Sequence, residues 1–142
     1  MRLKNYTDIP DETIREIIRA VRPAGISNFD VRVSNSQFGM AGRAYSQGSG
    51  YHETAAPFIV CRIAKTEKRA RHIRKAYCGY LPMVIGSRLE ALVILLAHEL
   101  RHLWQAKHTR GKVYGAKGKF SERDADAYAL QMLRRFRRGE LA

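Results

Sequence analysis

Cysteine is nearly absent from this chain, with two residues, Cys61 and Cys78, in 142. They stand far apart and outside any C-x-x-C pair, so two reduced thiols in an intracellular protein are expected rather than a disulfide scaffold. Long apolar runs are missing as well. No stretch approaches the ~18–20 residues of a membrane span, and the best candidate, Ala91 to Ala97, stops at His98-Glu99. No membrane association is therefore expected. The first residues, Met1 to Asp8, contain no apolar segment of the kind a secretion signal needs, which points to a cytoplasmic location. There is no internal repeat and no low-complexity linker, and the length suits one domain over residues 1–142. Acidic side chains are scarce: 13 Asp+Glu face 26 Lys+Arg, a net charge of +13. Residues 1–60 carry seven basic and six acidic groups, which leaves +12 for residues 61–142. A field of this sign concentrates polyanions, so nucleic acid or an acidic protein is a candidate partner through the basic second half.

The pattern of what is present predicts an α+β fold. Ile14, Ile17, Ile18 and Val21 stand at i, i+3, i+4 and i+7, the apolar stripe of a surface helix. Pro10, Asp11 and Glu12 suit its start, and Pro23 with Gly25 suits its end. Phe29, Val31 and Val33 alternate with polar residues as in a half-buried strand. A weaker strand covers Gly39 to Ser46, and a third Pro57 to Ile63. Short connections predict a mainly antiparallel sheet. Residues 65–75 form a basic segment without a clear pattern, and Tyr77 to Gly86 reads as a loop. Ser87 with Glu90 forms a capping box that opens a long apolar helix from Arg88, buried on most faces over its first half. A glycine-rich basic stretch follows over Thr109 to Phe120. Ser121 with Asp124 then opens a last helix from about Glu122 to Arg137.

The chemistry lies on the central helix, in His98-Glu99-Leu100-Arg101-His102, an H-E-x-x-H motif. Residues four apart share a helix face, so both imidazoles can reach one metal ion, with Glu99 placed to take a proton from its water. A buried helix has no other inexpensive way to hold these ionisable groups. Zinc, one per chain, needs a third protein ligand and keeps one open position. Glu122 and Asp126 share a face of the last helix, so Glu122 is favoured as that ligand, with Asp126 accepting the other N–H of a ligand histidine. The alternative third ligand is His108, six residues beyond His102 as in the metzincins. The glycine that turns the chain in that family is Gln105 here, and a continuing helix would carry His108 away.

His98-Glu99-x-x-His102 followed by Glu122-x-x-x-Asp126 resembles the gluzincin metallopeptidases, the thermolysin class. The Glu-x-x-Ala-Asp form is closer to the prenyl-protein-processing (CAAX) membrane proteases, whose membrane spans this chain lacks. His102-Leu103-Trp104-Gln105 is faintly similar to SprT-like proteases, which act on proteins crosslinked to DNA but place a third histidine in a glycine-rich loop. ImmA/IrrE-type regulatory proteases are another loose likeness. The resemblance covers residues 88–133 and implies a minimal zincin domain, with a short sheet before the active-site helix and a glutamate helix after it.

What the resemblance implies is peptide-bond hydrolysis. His98, His102 and Glu122 would hold zinc, and Glu99 would move the proton from water to the leaving amine. Tyr114 and Tyr128 are candidate oxyanion donors. A peptide or protein substrate would add as a strand to a sheet edge, with Pro57 to Ile63 as the expected edge. Arg101 reads as a solvated charge with a substrate contact as the alternative, and Lys112, Lys117 and Lys119 read equally as parts of a mobile lid or of a disordered basic loop. The alternative function is nucleic-acid-associated: an SprT-like protease at DNA, or a basic DNA-binding module with a non-catalytic zinc site.

Overall fold

The structure is a computed structural model that describes residues 1–37, 39–45, 57–70, 72–75, 82–108 and 119–141. Three helices and a sheet build its core. Helix α1 (Asp11–Val21) buries the expected stripe Ile14, Ile17, Ile18 and Val21. Its N-cap is Pro10, which offers no capping side chain, and the acidic Asp11 and Glu12 stabilise the positive end instead. Asn5 braces this start, donating to the Ile9 carbonyl at 2.6 Å and to Asp11 at 2.8 Å.

The mixed α+β character is as expected, but the strand directions are not. Strands β1 (Leu3–Asn5), β2 (Asp30–Ser36), β3 (Ala41–Tyr45) and β4 (Phe58–Ala64) form one sheet in the order β1-β2-β4-β3. Both β1–β2 and β2–β4 are parallel, and only β3–β4 is antiparallel. The predicted antiparallel arrangement fails because α1 returns the chain to the end of the sheet where β1 began, so β2 runs in the same direction as β1. Strand β4 then enters between β2 and β3. Its Phe-Ile-Val-Cys-Arg-Ile run suits an interior position, whereas β3, with Gly42 and Arg43, is the edge of the described sheet. Pro57 to Ile63 is thus hydrogen-bonded on both sides and cannot be the substrate edge.

After β4 come the short helix α2 (Glu67–Ala70) and an antiparallel pair, β5 (His72–Lys75) and β6 (Pro82–Ile85). Strand β6 lies inside the predicted loop. Met83 and Ile85 turn inward while Val84 stays exposed, a period of two that the flanking glycines and Pro82 obscure.

Helix α3 (Arg88–His108) is the axis of the molecule. It starts where the capping box predicts: Ser87 Oγ accepts from the Glu90 N–H at 3.1 Å, while the Glu90 carboxylate takes the Gly86 N–H at 3.0 Å. Leu92 to Ala97 are six consecutive residues with no solvent exposure, enclosed by the sheet, α1 and α4. Arg88 is buried at its start and is satisfied by the Ala64 carbonyl at 2.9 Å and the Asp8 carboxylate at 2.8 Å. Helix α4 (Lys119–Arg137) begins three residues before the expected Glu122, so Ser121 lies within its first turn instead of capping it. Its end is a Schellman motif. Gly139 adopts φ 70°, the Glu140 N–H reaches the Arg135 carbonyl at 2.9 Å, and the Gly139 N–H reaches Phe136 at 3.0 Å. Cys61 is fully buried on β4, and that burial pushes its thiol well above the ordinary value. Cys78 lies outside the described residues. Among the described residues no helix is long and apolar enough to cross a membrane.

Candidate metal centre

Four elements meet around the second half of α3. His98 and His102 stand one turn apart and face α4, where Glu122 projects from the first turns of that helix. The three donor atoms converge: His98 Nε2 to His102 Nε2 is 3.1 Å, His98 Nε2 to Glu122 Oε2 is 3.1 Å, and His102 Nε2 to Glu122 Oε1 is 2.9 Å. A tetrahedral zinc with ordinary bond lengths of ~2.0–2.1 Å separates its ligands by about 3.3 Å, so little movement would seat an ion.

The outward side of each ring explains why these atoms face inward. Asp126 Oδ1 lies 3.0 Å from His98 Nδ1, with both side chains wholly buried. His102 Nδ1 lies 2.8 Å from Gln105 Oε1. The Gln105 acceptor at His102 Nδ1, and the Asp126 charge beside His98 Nδ1, which lies off the line of a hydrogen bond, both favour a proton on Nδ1 and leave the Nε2 lone pairs for the centre. Two ring nitrogens and a carboxylate facing one another within 3.1 Å could be bridged by a metal cation or by protons on the rings. The donor set of two imidazoles and one carboxylate fits zinc.

A second layer holds this arrangement. Gln105 Nε2 donates to Asp124 Oδ2 at 2.8 Å, and Arg101 grips the same carboxylate through two bonds of 2.7 and 3.1 Å. The Arg101 guanidinium also lies 3.7 Å over the Trp104 ring. Arg101 is thus a tie between α3 and α4 and not the solvated charge its sequence position suggests. Burial raises the Asp124 carboxyl, but the hydrogen bonds from Arg101 and Gln105 and the Arg101 charge outweigh it and hold it below the ordinary range. The sequence offers Gln105 and Asp124 other parts, at a missing glycine and a helix cap, and not this one. The i, i+3 spacing of His102 and Gln105 was the available signal.

Glu99 occupies the other flank of the site, almost fully buried, with Oε1 3.9 Å from His98 Nε2. Burial pushes its carboxyl up to about 7; the two histidines pull it down, Glu122 pushes it further up, and Arg43 lowers it slightly. A bound dication would draw it back down. Strand β3 passes close by. A Cβ placed on Gly42 would stand 3.0 Å from Glu99 Cγ and 3.1 Å from Oε1, so only glycine lets this edge strand approach the carboxylate undisturbed.

Among the remaining candidates, His108 is not brought to the centre. It is exposed on the last turn of α3, stacked on Trp104 at 4.2 Å and bonded to the Trp104 carbonyl at 2.9 Å. Tyr128 donates its hydroxyl to the Val21 carbonyl at the end of α1 at 2.5 Å, and this tie takes it out of the oxyanion role. Tyr114, Lys112 and Lys117 lie outside the described residues, and Lys119 opens α4.

No family model, curated protein or solved structure matches this chain. The centre is accordingly read from its own geometry.

Metal binding checks that geometry. In competition titrations with a zinc chelator, His98→Ala, His102→Ala and Glu122→Ala should abolish tight binding, and His108→Ala should retain it. Gln105→Leu, which keeps the helix but removes the acceptor at His102 Nδ1, should weaken affinity about 10- to 100-fold. The Asp124 tie has its own pH signature. Its native carboxyl is held below the unfolded value, so its stabilisation is complete above about pH 4 and is lost as pH falls through the native value. The destabilisation caused by Asp124→Asn, read from urea unfolding, should therefore shrink between about pH 6 and about pH 3.

Proposed function

We propose that this protein is a zinc-dependent peptidase, with His98, His102 and Glu122 as metal ligands and Glu99 as general base and then general acid. The observation that carries the proposal is the convergence of three donor atoms within 3.1 Å beside the buried carboxylate of Glu99, which itself lies within reach of the same centre. When bound, zinc would polarise a scissile carbonyl and acidify the attacking water. Glu99 receives the proton of that water and delivers it to the departing amine. Its burial suits both steps, because desolvation raises the proton affinity of the carboxyl against the downward pull of a bound dication. Asp126 and Gln105 keep the two imidazoles in one tautomer throughout.

The substrate class follows from the edge strand. A peptide laid along β3 would extend the sheet and bring its backbone past Gly42 to Glu99, so side-chain identity matters less than an extended conformation. We place this activity in the cytoplasm, where the buried thiol of Cys61 suits a reducing compartment. The nucleic-acid-associated alternative is favoured by a different part of the molecule, the outer face of the sheet with Arg32, Arg43 and Arg62.

The decisive comparison is Glu99→Gln against wild type on an unfolded protein substrate or a mixed peptide library, both proteins loaded with one equivalent of zinc. The variant should keep its zinc and lose about 10²- to 10⁴-fold in kcat. Undiminished cleavage by the variant, or no cleavage of any peptide by the zinc-loaded wild type, would refute the peptidase assignment.

A further inference from the structure

The sheet has a second face, turned away from α3. The inward side chains Val31, Val33, Ile59, Cys61 and Ile63 are buried, so the alternation of the strands sends Arg32, Ser34, Phe58, Val60 and Arg62 outward. Helices α1 and α4 pack on α3, on the inner side. The register then aligns the outward cations. Lys4 lies opposite Arg32, Arg32 opposite Val60, and Val60 opposite Arg43, so one row across β1, β2, β4 and β3 reads Lys-Arg-Val-Arg. Arg62 joins from the next row, opposite Ser34 and Ala41. Arg32, Arg43 and Arg62 line an open concavity of about 560 Å³ together with Tyr45, Phe58 and Val60.

Aromatic rings sit among these cations. Tyr45 and Phe58 are stacked at 4.5 Å on the same face. Tyr6, 59% exposed, carries the Arg32 guanidinium 5.1 Å from its ring centre. The one carboxylate in the facing rows, Asp30, is held by Arg2 through its N–H at 2.8 Å. Lys4, Arg32, Arg43 and Arg62 form no ion pair among the described residues. Some basic side chains elsewhere are matched: Arg137 with Glu90 at 2.6 Å, Arg138 with Glu140 at 2.8 Å and Arg101 with Asp124 at 2.7 Å. What sets the sheet face apart is that strand register brings four unpaired cations together among aromatic rings. Like charges directly opposite in a sheet oppose folding, and a polyanion laid across them removes that penalty.

We infer that this outer sheet face binds single-stranded nucleic acid, its phosphates on Lys4, Arg32, Arg43 and Arg62 and its bases stacked on Tyr6 and the Tyr45–Phe58 pair. Interleaved rings and cations suit a single strand, whose base faces are available, better than a duplex, whose bases are already stacked. Contacts of this kind read phosphate and base and not sugar, so DNA and RNA oligomers bind alike. The site lies across the sheet from the metal centre and does not depend on the peptidase assignment.

Fluorescence anisotropy with labelled oligothymidylate and oligouridylate of about 15 nucleotides, on the order of one domain's site, tests this. Wild type should bind both, with a slope of log K against log salt near −3, about 0.7 for each of four cations. Arg32→Gln/Arg43→Gln should reduce that slope by about 1.4 and weaken binding at least about tenfold at moderate salt. Tyr6→Ala should weaken it about fivefold or more by loss of stacking. Arg134→Gln/Arg135→Gln removes the same charge from the end of α4 and should leave affinity within about twofold, because those residues lie off the face. Equal losses in the two double variants, a duplex bound as tightly as the single strand, or a salt slope near zero in wild type would each overturn the inference.

Discussion

Three acceptors facing one another inside a protein are unstable unless something positive lies among them, and much of this structure is arranged to make them face. The His98 and His102 side chains are themselves buried on α3, so their orientation is decided by their protein neighbours and not by solvent. Gln105 hydrogen-bonds one ring, and the Asp126 charge lies 3.0 Å from the other. Asp124 fixes Gln105, and Arg101 fixes Asp124 while binding α4 to α3. The packing of α3 against α4 and the aim of the two imidazoles are therefore one device. Loosening the helix pair would misdirect the donors, and removing the donors would leave buried polar groups without purpose.

The sheet serves the same centre from its edge. Strand β4 takes the interior position that its apolar run demands, which leaves β3 outermost and Gly42 against Glu99. Burial of that carboxylate raises its proton affinity, while the sheet face behind it carries Lys4, Arg32, Arg43 and Arg62. Arg43 belongs to both settings: it lines the outer concavity and still lowers the Glu99 carboxyl slightly. The two proposed sites are thus separated by one sheet and joined electrostatically at its edge.

Much of this was legible in the residues alone. The apolar spacing of Ile14, Ile17, Ile18 and Val21, the capping box at Ser87 and the H-E-x-x-H run are local signals, and helices α1 and α3 follow them closely. Glu122 could be named because it shares a helix face with Asp126. Other features depend on tertiary context. Strand β1 is three residues long and exists only through its pairing with β2, and parallel pairing follows from the path of α1. Strand β6 was hidden by Pro82 and its neighbouring glycines. Gln105 and Asp124 are unremarkable until α4 docks, and the basic row is invisible in a charge tally by halves because Lys4, Arg32 and Arg43 are brought together only by register.

The central claim is that His98, His102 and Glu122 form one zinc site. X-ray absorption spectroscopy on the protein loaded with one equivalent of zinc addresses it most directly. The account predicts a four-coordinate ion with two imidazole ligands, the remaining positions filled by oxygen at ~2.0–2.2 Å. A sulfur-ligated spectrum, an all-oxygen hydrated ion or three imidazoles would contradict it.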